Sequence, residues 1–470
     1  VLSIAARKSS AEPMSLMATC GEVMDGLGMW WVAPDRFYRR DRCYWCVLVL
    51  RAIERAHGYP KSLLDWVHAG QTWVASQAVP KRYAAFVSNP PPPAVGPSLP
   101  RKVRKVGAPL GAIIAMGIAA GLSVILLTAV NPVGTAIGFV LATVAVVVVL
   151  LAYLWLDRWE PEPPRLLVLA FAWGASVAVV VSVILETVFG SLLTTGEATT
   201  DEFVTLAIAA PIIEEAAKGA FLLLMMTGRR RNELNSLTDC LVYAGITAAG
   251  FAWLENIGYI GGGESLGGSL VTAGLRLVMG PFAHPLFTTM TAIGVYFALQ
   301  QRGLFAKAAC ILLGYVAAVV MHASWNGSSF FGIETYFLVY FVWMVPVFGL
   351  AITLAVGSRR REQRIVAAKL PGMVAAGVVS ANEATWLSSI RTRKAAIGEA
   401  TRVAGKPAGK SVKNFAAQVI ELAFVRDRID RGFGDQRVTA LLNEEAYGVY
   451  ASRAAAPVLQ TIAAYRAPGS

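Results

Sequence analysis

VTLAIAAPIIEEAAKGAFLLLMMT, residues 204–227, is an apolar run with Glu214, Glu215 and Lys218 at its middle. About 20 apolar residues suffice to cross the hydrocarbon core of a bilayer as a helix. A charge at the bilayer centre costs roughly 2.5–3.5 kcal/mol, so three unpaired charges would cost on the order of 8–10 kcal/mol. Such residues persist where they face a protein interior or a wet cavity, which makes them functional candidates. Glu214 and Lys218, four apart, share a helix face and can pair, while Glu215 points about 100° round the helix.

Working outward, seven more runs of membrane length are legible, at roughly 109–130, 133–156, 166–189, 238–260, 270–299, 306–325 and 335–356. With 204–227 they predict an all-α polytopic membrane protein of about eight transmembrane helices. Composition agrees: 56% of the 470 residues are hydrophobic and 15% charged, with a mean hydropathy of +0.54. A soluble chain carries about 25% charge. Alternate loops contain Arg101, Lys102, Arg104 and Lys105; Arg158 and Arg165; Arg229, Arg230 and Arg231; Arg302; and Arg359, Arg360, Arg361 and Arg364. The intervening loops hold no Lys or Arg, but carry Glu197, Asp201, Glu202, Glu264 and Glu334. By the positive-inside rule both termini are expected in the cytoplasm of a multi-pass plasma-membrane protein. The net charge of +12 is thus read as cytoplasmic-face Lys and Arg against the bilayer surface, with no nucleic-acid partner expected.

The flanks divide the chain further. Residues 1–89 hold no run of membrane length and form an N-terminal cytoplasmic region of uncertain fold. No signal peptide is expected, because Arg7 and Lys8 are not followed by an apolar h-region. Cys43-x-x-Cys46 lacks a second ligand pair in finger spacing. Residues 90–108 are a Pro-rich, then basic, linker. Residues 109–356 are the membrane domain, and 357–470 a helical cytoplasmic tail with apolar residues at helical period. Gly405-Lys-Pro-Ala-Gly409 separates two of its helices. The charged loop Asp157-Arg-Trp-Glu160-Pro-Glu162-Pro-Pro-Arg165 reads as a rigid inner turn or as a device positioning the fourth span.

Four consecutive spans carry polar residues where lipid should forbid them: Glu214, Glu215 and Lys218; Glu255 and Asn256; His284, between Pro281 and Pro285; and His322 with Asn326 one turn on. At 1.5 Å per residue Glu214 sits about 15 Å deep, His284 at a similar or slightly greater depth, and Glu255 and His322 about 5–8 Å below the outer surface. All can converge in a cavity open to the non-cytoplasmic side. Two chemistries suit them. His284, His322 and a glutamate such as Glu215 can hold Zn²⁺, with a second glutamate as base. Alternatively, a buried glutamate deprotonates water directly, with a histidine and Asn326 stabilising the oxyanion. Lys218 holds one glutamate ionised in either case. For each motif alone a structural role competes: an ion pair for Glu214 and Lys218, a helix–helix hydrogen bond for either histidine, a counter-ion or snorkelling role for Arg276. Gly245, Gly250, Gly258 and Gly280 favour close packing around the site.

Glu214-Glu215-x-x-Lys218, Phe251-x-x-x-Glu255-Asn256, His284-x-x-Phe287 and His322-x-x-x-Asn326 fall in order on successive spans, behind the Asp157–Pro163 loop and Phe171-x-Trp173-Gly174. In this the chain, over about 150–356, resembles the PrsW-type intramembrane protease family, itself related to the CAAX-protease-type membrane peptidases. The resemblance implies hydrolysis of a peptide bond in a membrane-anchored, single-span protein such as an anti-sigma factor. It implies catalytic or metal-binding roles for the paired glutamates and the histidines. Two rival readings are a non-catalytic membrane scaffold and an ion- or proton-coupled transporter; the latter would favour inverted repeats, and none is seen.

Overall fold

A computed structural model describes residues 107–192, 195–263, 265–434 and 436–464. The N-terminal region with Cys43 and Cys46, most of the Pro-rich linker, and Glu264 lie outside the described residues. Eight long helices follow in order: α1 (Leu110–Val130), α2 (Pro132–Leu156), α3 (Pro164–Leu192), α4 (198–225), α5 (Leu237–Gly261), α6 (Leu266–Leu299), α7 (Leu304–Phe331) and α8 (Ile333–Ala375). Seven of them are long and apolar enough to cross a membrane. The remaining one, α4, carries the three charges in its apolar stretch. No strand occurs among the described residues.

Local chemistry sets the helix boundaries. Asn131 caps α2 by accepting from the Gly134 N–H, with Pro132 in the first turn, where its missing donor is harmless. Ser236 and Asp239 form a reciprocal capping box at the start of α5. Helix α6 breaks at Gly280–Phe282 and restarts at Ala283, which puts His284 and Pro285 in the first turn of its second half.

Helix α5 is the central post. Nearly every residue from Thr238 to Ile257 is buried, as expected of a helix apolar all round. Its neighbours approach to backbone distance. A Cβ on Gly250 would meet Phe171 O at 2.1 Å, and one on Gly245 the Tyr153 ring at 2.0 Å. Gly258 and Gly280 make no such approach, so of the four glycines expected at tight crossings only two serve there. Helix α1 is peripheral: Ala120 is its sole buried residue, and Leu110, Ile114, Ile118, Leu122 and Ile125 face outward.

Helix α8 runs unbroken past the Arg359–Arg361 cluster to Ala375. The short α9 (Ala381–Leu387), long α10 (Ile390–Arg428) and α11 (Gln436–Ala454) complete the tail. Its core includes Val366, Met373, Trp386, Phe415, Val419 and Leu422. Helix α10 kinks at Ala404 and at Gly405, whose φ of 80° suits glycine, within the Gly405–Gly409 stretch.

The loop between α2 and α3 joins this core. Trp159 is 3% exposed and packs among the tail's apolar residues. The Arg393 guanidinium stacks on its ring at 4.3 Å and donates to its carbonyl at 3.3 Å. The same loop is fastened to the membrane side. Glu162 N–H donates to Asp157 Oδ2 at 2.9 Å, Tyr243 Oη–H to Glu162 Oε2 at 2.7 Å, and Asn235 to Glu160 at 3.3 Å. The turn thus clasps α5 and the segment before it. Burial pushes the Asp157 carboxyl up to about 8, against the pull of its Glu162 hydrogen bond. Burial also holds Glu160 and Glu162 well above the usual carboxylate range, with Asp239 adding repulsion.

Candidate active site

Irregularities in α4 and α6 help set the site residues in place. In α4 the segment Val204–Ala209 is π-helical, bonded five residues apart. In that register Leu206 O would meet the nitrogen of Pro211, which has no hydrogen to give. Asn326 Nδ2 of α7 donates to Leu206 O instead, at 3.0 Å. The regular helix Ala210–Met225 then presents Glu214, Glu215 and Lys218 inward, all buried. The α6 break delivers His284 at the head of a new half-helix. Helix α7 delivers His322, buried and stacked on Phe287 with ring centroids 4.6 Å apart.

Lys218 is the hub. Its ammonium, fully buried, donates to Glu214 Oε2 at 3.1 Å, to Glu215 Oε1 at 2.7 Å and to His284 Nδ1 at 3.0 Å. It also lies 4.2 Å from the centre of the Phe251 ring. All three of its protons are therefore used. Both glutamates, not one, share the cation. Glu215 is saturated: Oε1 also takes His322 Nδ1–H at 3.1 Å and Oε2 the Thr288 hydroxyl at 2.8 Å.

The partners fix the imidazole tautomers. His284 accepts at Nδ1, so its proton is on Nε2, which lies 2.7 Å from the Glu255 carboxylate at Oε2. His322 donates from Nδ1 to Glu215, so its lone pair is on Nε2. Each imidazole is backed by a carboxylate, the pattern that orients metal-ligating histidines. Both unprotonated nitrogens flank Glu214 Oε2, each at 3.9 Å, His284 Nδ1 while also accepting from Lys218.

Glu214, His284 and His322 each offer a donor atom, all within 4.8 Å of one another. A tetrahedral zinc with bonds of about 2.0–2.2 Å sets neighbouring donors about 3.4 Å apart. A contraction of well under 1 Å per side chain would close the group on an ion, so these residues fit one. Charge agrees: three carboxylates (Glu214, Glu215, Glu255) meet two cations (Lys218, Arg276), which leaves a formal negative charge.

The structure brings together Glu214, Glu215, Lys218, Glu255, His284 and His322. The oxygens of Glu215 are turned to Lys218, His322 and Thr288 rather than to the Glu214–His284–His322 gap, and the Asn326 amide is spent on α4 backbone. Of the two roles the sequence offered Arg276, the structure shows the counter-ion, and two further participants, Thr288 and Glu186, were not read from the sequence. Arg276 Nη2 pairs with Glu255 Oε2 at 2.6 Å. Thr288 holds Glu215. Glu186 of α3, within electrostatic reach of Glu214, Glu255 and Lys218, keeps one buried oxygen without a hydrogen-bond partner among the described residues. The signal for Glu186 was present: a lone acid inside an apolar span.

Residues 162–351 match the model of the PrsW family intramembrane metalloprotease. Neither a curated protein nor a solved structure matches the chain.

Proposed function

We propose, for a chain that over residues 162–351 is a PrsW-like intramembrane protease, that the Glu214–His284–His322 group holds a metal ion, Zn²⁺ by its donor set, and cleaves a single-span membrane protein. The observation that carries this is the two imidazoles, each beside a carboxylate and each turning its unprotonated nitrogen toward Glu214 at 3.9 Å. Bound there, a zinc ion would supply Lewis-acid polarisation of a peptide carbonyl and a water acidified toward neutrality. The side chains do the rest. Glu255 and Glu215 fix the tautomers of His284 and His322. Glu214 supplies the remaining donor, while Glu215, engaged by Lys218, His322 and Thr288, holds His322 in place. Lys218 donates to both carboxylates and holds them in place. Asn326 pins α7 to α4, so that His322 meets Glu215.

A second reading is supported by the position of Lys218, whose ammonium stands 3.0 Å from His284 Nδ1 and 3.1 Å from Glu214 Oε2, between two of the three donors. Here Glu214 itself takes the proton of a water, and an imidazole steadies the oxyanion. The substrate we infer is a membrane-anchored regulator of the anti-sigma-factor kind, with both termini of the enzyme in the cytoplasm of a plasma-membrane protein. Basic residues on one set of loops alone support that orientation.

The test is cleavage of a single-span reporter by the purified protein, beside metal analysis. Glu214→Ala, Glu215→Ala and His284→Ala should abolish cleavage at unchanged protein level, and His284→Ala should lose the metal. Full cleavage by Glu214→Ala would end the assignment. Unimpaired cleavage by metal-free protein would select the second reading.

A further inference from the structure

Arg276 lies in the π-helical segment Gly274–Met279 of α6. Its side chain runs along one face of α5 and engages three residues there. Nη2 lies 2.6 Å from Glu255 Oε2, Nε donates to Asn256 Oδ1 at 2.6 Å, and the guanidinium stacks 4.0 Å from the centre of the Tyr259 ring. A snorkelling arginine sends its head to water; this head is held on three sides. The oxygen it pairs with is also the one that lies 2.7 Å from His284 Nε2. Arg276, Glu255 and His284 are thus one chain of contacts, ending at Nδ1, which accepts from Lys218.

We propose that Arg276 is a positioning residue for the reaction: by clamping Glu255 against α5 it fixes the His284 ring and its Nε2–H tautomer, with Nδ1 turned to Lys218 and Glu214. This rests on the metalloprotease reading for its consequence in metal affinity, but the tautomer is a property of the chain alone. The geometry needs arginine. Two donors diverge from one planar group to adjacent residues while its face covers a ring; a lysine offers a point charge and can do one of these. Glu255 then acts through His284 rather than on substrate. Loss of an outer partner to a ligating histidine typically weakens metal binding 10–100-fold.

The experiment uses the full chain in detergent with two readouts. Zn²⁺ affinity is measured by chelator competition for wild type, Arg276→Ala, Arg276→Lys, Glu255→Ala, the Arg276→Ala/Glu255→Ala double variant and His284→Ala. The ¹⁵N spectrum of the four histidines is recorded without metal, with His284→Ala assigning the His284 signals. Arg276→Ala should bind Zn²⁺ 10–100-fold more weakly, Arg276→Lys should recover only part of that loss, and the double variant should bind no more weakly than Glu255→Ala. Without metal, His284 should show one Nε2–H tautomer in wild type and a mixture in Arg276→Ala. An unchanged tautomer in Arg276→Ala overturns the proposal, as do losses that add in the double variant. If His284→Ala binds Zn²⁺ like wild type, the metalloprotease reading fails, and the tautomer readout still decides the role of Arg276.

Discussion

Replacing Lys218 by methionine probes the site most sharply. Methionine fills a similar volume, so the change removes charge and three hydrogen bonds with little loss of packing. The ammonium is fully buried and Glu214 and Glu215 are 6% and 0% exposed, so water cannot take its place. Removing one partner of a buried ion pair costs about 3–5 kcal/mol, because a buried charge is left without its counter-ion. Here one cation serves two carboxylates, which argues for the upper half of that range. At 1.4 kcal/mol per tenfold, about 4 kcal/mol is roughly a thousandfold in the unfolding equilibrium. Graded unfolding in mixed micelles, followed by tryptophan fluorescence, gives the number. The triple variant Glu214→Leu, Glu215→Leu, Lys218→Met is the control. Replacing a whole buried ion cluster by apolar groups is often neutral or stabilising, so it should recover most of the loss. Stability of Lys218→Met within about 0.5 kcal/mol of wild type would refute a buried, water-free hub, since that is the span of ordinary surface changes.

Three further outcomes follow from the packing. Gly250→Val should destabilise by at least about 1–3 kcal/mol, since its Cβ would fall 2.1 Å from Phe171 O; Gly258→Val, near nothing closer than 3.9 Å, should be tolerated, and the pair is read by thermal stability in detergent. Trp159→Ala should loosen the tail by about 3–5 kcal/mol, seen as protease cutting near 376–390 while the membrane core survives. The Asp157 carboxyl, raised to about 8 by burial, is protonated in the folded loop and ionises near pH 4 when unfolded. Its contribution is therefore full below pH 4, falls as pH rises from 4 to 8, and is flat above. Glu160 and Glu162 in the loop, Asp239 of α5 and Glu362 of α8 face the same cluster. Asp157→Asn, whose amide oxygen can still accept from Glu162 N–H, should thus reduce, not abolish, the decline of loop protection between pH 5 and 8 in hydrogen exchange.

Much of this protein is written along the chain. Membrane spans are long apolar runs, and the residues that break them announce the site: Glu214, Glu215, Lys218, Glu255, His284 and His322 were each legible as a polar group where lipid would penalise it. Their partners were less so, because pairing depends on which helices touch. Arg276 and Glu255 sit on different helices, and only the α6 π segment and the face of α5 bring them together. Asn326 reads as an oxyanion donor until the backbone of α4 is seen to need it; Pro211 was in view, but the π register was not. Helix α8 outruns its apolar stretch because Arg, Glu, Gln, Lys and Ala are all good helix formers, so leaving the membrane does not end the helix. That Trp159, in a membrane-domain loop, completes the core of a distant tail follows from no local pattern.

The most direct test is to purify the full chain, measure its metal content, and assay cleavage of a single-span reporter before and after chelation. About one zinc per chain, lost together with cleavage in His284→Ala and in His322→Ala, is the predicted result. Wild-type cleavage by protein that binds no metal, or by either histidine variant, would contradict a Glu214–His284–His322 metal centre.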